Sequence, residues 1–181
     1  MKLEMRTLKN IAAAAMTLAV VFGAASLKPV TANAAEASVS ASIEEENSYI
    51  SFQDEAYQNE FLRRVNNERA KAGLKPVQLG DSNHNSAAQE RAEEIATVNS
   101  HVRPNGTKWY TVLSEYGVTD AAAGENAAWG SVSPEEVVNA WMNSEGHRAN
   151  ILDPEARAMG VGYYYNSSSA WGHQWIQLFT K

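Results

Sequence analysis

The sequence predicts an α+β domain, helical through most of its length and β-sheet at its end. Three observations predict it. Apolar residues recur at helical spacing in four segments between residues 54 and 146. After Asp153-Pro154 the rhythm changes to a two-residue alternation. The last alternating segment is apolar on both faces, so helices are expected on both sides of a small antiparallel sheet.

The first helix is expected from Asp54 to Ala72. Tyr57, Phe61, Leu62, Val65 and Ala72 form its apolar stripe, while Gln58, Arg63, Asn66 and Lys71 face water. Gly73 caps its C-terminus and Pro76 prevents continuation. Leu74, Val77 and Leu79 make an extended connector. A second helix starts at Asp81 or Ser82 and ends near Val98, burying Ala87, Ala88, Ala92, Ile95 and Ala96. Such small side chains allow a close approach of neighbouring backbone. His84, one turn before Ala88, is read as a structural or surface residue.

Asn99 to Gly106 is a turn-rich break. Pro104 keeps Arg103 extended and Asn105-Gly106 closes a tight turn, which leaves His101 at a helix-to-loop junction. Trp109, Val112, Leu113 and Tyr116 mark a short helix ended by Gly117. Val118 to Val132 carries no periodic signal and reads as a connecting loop. Ser133-Pro134-Glu135-Glu136 is a capping box with proline at the first helical position, and Val137, Val138, Trp141 and Met142 supply the buried face. This helix is expected to stop at Gly146, with His147 on the bend just past its end. Met159–Tyr165 and Ala170–Thr180 then form a hairpin through Asn166 to Ser169. On its second strand Trp171, His173, Trp175, Gln177 and Phe179 share one face; Gly172, Gln174, Ile176, Leu178 and Thr180 share the other.

The chain of 181 residues is expected to divide into a signal peptide (1–34), an acidic spacer (35–52) and one domain (53–181). Lys2, Arg6 and Lys9 precede a largely apolar run from Ile11 to Ala25, and Ala32-Asn33-Ala34 is a small-x-small cleavage site. The run is short for a membrane span, so export without an integral membrane segment is expected. Loss of Lys2, Arg6, Lys9, Lys28 and Glu4 leaves 11 basic and 20 acidic side chains, a net charge of −9. That surface opposes nucleic acids and anionic membranes. The absence of cysteine excludes disulfides, thiol catalysis and thiolate metal sites.

Glu125 is the only acid in a run of small, mostly apolar residues from Ala121 to Ala128. A carboxylate there must find a partner, either backbone amides or a histidine. His101, Glu125 and His147, each expected on a loop beside an element end, are therefore the candidate centre. Two imidazoles and a carboxylate could hold Zn²⁺ or another divalent cation with a position open for water. Alternatively the carboxylate fixes one histidine tautomer for general-base work.

Five stretches in order resemble the CAP superfamily of cysteine-rich secretory, antigen 5 and pathogenesis-related 1 proteins, in its secreted bacterial branch. They are Phe61-Leu62-x-x-Val65-Asn66-x-x-Arg69; Ser100-His101-x-Arg103-Pro104-Asn105-Gly106; Gly124-Glu125-Asn126; Trp141-x-x-Ser144-x-Gly146-His147-Arg148-x-Asn150-Ile151-Leu152; and Gly160-Val161-Gly162. The resemblance implies a three-layer α-β-α sandwich over residues 57–180, and a central cavity with two His and two Glu. It assigns His101 and His147 as the two histidines, the candidate metal ligands, and Glu125 as one acid. The second acid is replaced by Ser144, with Glu145 adjacent. It implies a secreted, extracellular or cell-wall-associated monomer that binds a lipid, a peptide, a cell-wall component or a protein partner. The alternative is a metal-assisted hydrolase of peptides or envelope polymers.

Overall fold

The computed structural model describes residues 55–181; the expected signal peptide and spacer lie outside the described residues. The elements are α1 (Glu55–Lys71), β1 (Gln78–Leu79), α2 (Ser82–Ile95), α3 (Thr111–Glu115), β2 (Ala122–Trp129), α4 (Pro134–Met142), α5 (Glu145–Ile151), β3 (Ala158–Asn166) and β4 (Gly172–Thr180). The sheet order is β1-β3-β4-β2, with β3/β4 and β4/β2 antiparallel and β1 parallel to β3. The fold is α+β.

The alternation on β4 sorts the core into two halves. Trp175 and Phe179 pack with Phe61 and Val65 of α1, Val137, Val138 and Trp141 of α4, and Ile151 of α5. Ile176 and Leu178, one residue out of phase, pack with Ala87, Ala88, Ala92 and Ile95 of α2 and Val112 and Leu113 of α3. Helices therefore cover both faces of the sheet, giving three layers. On the first side the Phe61 ring lies between those of Trp141 and Trp175, with centroids 5.8 and 6.1 Å away.

Side chains cover β2 and the part of β3 that lies beyond its short pairing with β1. Asn85 and Gln89 of α2 accept from the Val161 and Tyr163 amides of β3 at 3.1 and 3.2 Å. On β2, Asn150 and Trp141 donate to the Glu125 and Ala127 carbonyls at 3.0 and 3.2 Å. Pairing with a further strand is thus discouraged along β2 and along the stretch of β3 that β1 leaves open.

Other quoted residues have structural work. Asn66 pairs with both backbone groups of Val77 at 2.9 Å, fixing the connector against α1. Arg69 is fully buried and donates to the carbonyls of Lys75, Ile151 and Asp153, which ties α1 to the end of α5. His84 is also buried, bonded through Nδ1 to the N-cap Asp81 at 2.8 Å.

The structure corrects four expectations. The helix from Pro134 stops at Met142; Asn143 caps it, Ser144 is extended, and Gly146 lies inside a new helix without a positive φ. His147 is therefore in the first turn of α5 rather than past a helix end. The stretch Ala122–Trp129, read as loop, is a strand, so Glu125 sits within the sheet. Its Ala, Gly, Asn and Glu have low strand propensity, and pairing with β4 overrides it. The hairpin's second strand begins at Gly172 (φ +66°), which leaves Trp171 outside it and 47% exposed. Finally, the connector contributes β1, which adds a parallel edge to the antiparallel sheet.

Two glycines separate these roles. A Cβ at Gly162 would overlap the Ala88 carbonyl of α2, a backbone atom that cannot move alone. Gly162→Ala is expected to lower the unfolding free energy by about 3 kcal/mol in urea denaturation. A loss near zero would show that α2 does not lie this close to β3. At Gly146 an added Cβ meets nothing within 4 Å. Gly146→Ala should be neutral or stabilising by up to about 1 kcal/mol, whereas a destabilised variant would restore the helix-cap reading.

Candidate functional site

Strand β2 divides the site's residues by parity. Glu125 and Ala127 face α2, whereas Gly124 and Asn126 face α5. The Glu125 side chain is wholly buried. Its Oε2 accepts from Arg91 Nε at 2.8 Å, and its Oε1 accepts from Arg91 Nη2 at 3.2 Å and from His101 Nδ1 at 2.7 Å. Both carboxylate oxygens are thus committed. A buried carboxylate forked by a guanidinium is the arrangement that offsets its desolvation.

His101 lies in the loop after α2. That loop folds back on itself through Trp109 N donating to His101 O at 3.1 Å and Arg103 N to Thr107 O at 2.9 Å, with Gly106 (φ +81°) at the tip. The buried Arg103 anchors it, its Nη2 donating to Glu94 at 2.8 Å and its Nη1 to Glu115 at 2.6 Å. A carboxylate only accepts, so Glu125 requires the His101 proton on Nδ1 and leaves Nε2 as the free acceptor of the neutral ring. The ring is 58% exposed.

His147 is brought to the same region by α5. Asn150 Nδ2 bonds both Glu125 O (3.0 Å) and Asn126 Oδ1 (2.8 Å), while Asn126 Nδ2 donates to His147 O and to Gln177 Oε1, each at 3.2 Å. This amide network joins the Gly124-Glu125-Asn126 stretch to the His147–Asn150 stretch. The His147 ring packs beside Trp141, with centroids 6.5 Å apart.

The two histidines are driven apart in basicity. The Glu125 hydrogen bond raises His101 above its ordinary pKa, against a smaller opposing effect of burial. Burial lowers His147, and the positive charge of His101 lowers it further. Burial opposes the Arg91 charge, but Glu125 and Glu94 outweigh it and hold the guanidinium above its ordinary value.

The remaining candidates stand apart. Ser144 is the N-cap of α5 but makes no side-chain capping bond, and Glu145 is exposed in the first turn. Among the described residues neither side chain bonds to His101, Glu125 or His147. No group of three or more His, Asp and Glu among the described residues has metal-ligand geometry. With Glu125 committed, two imidazoles remain, one protein ligand short of a three-ligand catalytic zinc site. Any metal held here would draw on those two imidazoles rather than on Glu125.

Sequence reasoning missed Arg91, and a signal for it existed. Arg91 lies three residues after Ala88 and four before Ile95, on the apolar stripe of α2, and it is the only Arg or Lys in that helix. A lone cation on a buried stripe calls for a buried anion.

Proton titration followed by the ring signals in NMR should show His147 deprotonating at lower pH than His101. Glu125→Gln should bring His101 down toward its ordinary value. Because the folded His101 value is raised, its stabilising contribution is fully present below the unfolded value and is lost as pH rises through the folded one. Glu125→Gln should flatten that part of the stability profile; a wild-type His101 titrating below its ordinary value would contradict the assigned contact.

Comparison with known proteins agrees with this architecture. The model of the cysteine-rich secretory protein family matches residues 62–179. The uncharacterized protein YkwD of Bacillus subtilis is 41% identical over 123 residues, covering 67% of this chain; the match spans only about half of that relative's length (47%). An outer surface protein of Borrelia burgdorferi superposes with a TM-score of 0.61 at 20% identity, over 70% of this chain and 93% of that one. An extracellular SCP-domain protein of Bacillus anthracis superposes with a TM-score of 0.59 at 25% identity, over 68% of this chain and 39% of that one. With its motifs, its three layers and the matched family model in agreement, the chain belongs to the cysteine-rich secretory protein (CAP) family.

Proposed function

We propose that this CAP domain is an extracellular, monomeric binding module whose recognition centre is the His101–Glu125 pair with His147 beside it. The observation that carries this reading is the 2.7 Å contact between His101 Nδ1 and a fully buried carboxylate. It fixes the tautomer of a half-exposed ring and presents Nε2 to whatever docks there. A ring held in one orientation loses less freedom on binding, which favours affinity.

Export is supported by the basic start, apolar run and small-residue cleavage site before residue 35, and by the extracellular character named for the Bacillus anthracis relative. Among the described residues no helix is long and apolar enough to cross a membrane. The ligand classes the family resemblance suggests are lipid, peptide and cell-wall polymer.

Retention assays with purified Bacillus peptidoglycan, phosphatidylglycerol vesicles and an immobilised peptide library separate these classes. One of them is expected to retain the wild type and to lose His101→Ala and Glu125→Gln. Equal retention of both variants on every probe would overturn the recognition centre. Zinc titration supplies the companion test. Two imidazoles without a third protein ligand predict no zinc-dependent rise in Tm. A rise abolished in the His101→Ala, His147→Ala double variant would replace this reading with a metal centre.

A further inference from the structure

We infer that Arg91 is the positioning residue for His101, acting on the ring and on the backbone that carries it. This rests on the reading of His101 as the recognition residue, but its geometry stands independently. One guanidinium makes four connections. Nε and Nη2 fork the Glu125 carboxylate at 2.8 and 3.2 Å, and that carboxylate holds the His101 ring. Nη2 also donates to the carbonyl of Ser100, the residue before His101, at 3.2 Å. Nη1 bonds Glu94.

The chain of charges then continues to the far side of His101. Glu94 is shared with Arg103, two residues after His101, and Arg103 is held in turn by Glu115 at 2.6 Å. Positive and negative groups alternate along Glu125, Arg91, Glu94, Arg103 and Glu115. The backbone is therefore gripped at Ser100 and at Arg103, and the ring is gripped between them. Arg91 is fully buried, so its bonds are little diluted by solvent.

Lysine cannot replace this function. A single ammonium carries the charge but lacks the planar fork that meets two carboxylate oxygens and a carbonyl at once. Arg91→Lys should therefore preserve the ion pair and loosen the ring.

The test is the ¹⁵N signature of the His101 ring at a pH where it is neutral. The wild type should show the proton on Nδ1 alone. Arg91→Lys should show a mixture of the two tautomers, because the hydrogen bond that selects Nδ1–H is no longer held in place. Arg69→Lys is the control for general weakening, since Arg69 is equally buried but ties α1 to α5. It should lower stability and leave the His101 signature unchanged. An unaltered tautomer in Arg91→Lys, or an equal change in both variants, would overturn the inference.

Should Arg91→Lys not fold, Glu94→Gln removes the charge assistance from the bond to Nη1 without emptying the buried pair. Solvent exchange of the His101 Nδ1 proton should then accelerate about tenfold, as the loss of a charge-assisted hydrogen bond implies. Unchanged exchange would overturn the inference. Failure of the ligand-retention assays with an intact Arg91 effect would instead count against His101 as a recognition residue.

Discussion

A carboxylate with no access to water sits on an edge strand of the sheet, and its charge must be answered. Glu125 is wholly buried between apolar layers, and an ion so placed costs several kcal/mol unless its oxygens are fully matched. Arg91 supplies the opposite charge and His101 supplies the last donor. That requirement ties α2 to β2 through one pair of side chains, holds the start of the following loop, and sets which ring atom of His101 stays free.

The same constraint limits what Glu125 can offer a metal ion. Metal ligation and the Arg91 fork compete for the same two oxygens, and the fork occupies both. What remains is an imidazole oriented by Glu125 and, on α5, a second imidazole held by burial below its ordinary basicity. The recognition role we propose draws on this inequality, since a neutral His147 can accept a hydrogen bond where a protonated His101 donates one.

Much of the architecture was legible from side-chain periodicity. The stripe from Tyr57 to Ala72, the alanine face of α2 and the two apolar faces of β4 gave the helices, the hairpin and the need for helices on both sides. Strand β2 was not legible, because Ala122 to Ala128 shows no alternation of apolar and polar side chains; its place comes from pairing with β4. Gly146 misled in a different way. Glycine at a helix end commonly takes a positive φ, but here the chain breaks three residues earlier at Asn143 and restarts. The site was legible as a set of residue types, since an acid among alanines and two histidines near element ends are rare enough to notice. The partners that hold them were not. Asn126 and Asn150 act through amides that have no periodic signature, and Arg91 was masked by the alanines around it.

The claim on which all of this depends is that Arg91 and Glu125 form one buried unit. A double-mutant cycle measures that directly, with Arg91→Met, Glu125→Leu and the combined variant compared by urea denaturation. Each single change strands a buried charge and is expected to cost about 3–5 kcal/mol, while the combined change should cost far less than their sum. Strict additivity of the two losses would mean that the pair does not exist in solution, and the account of His101 built upon it would fail.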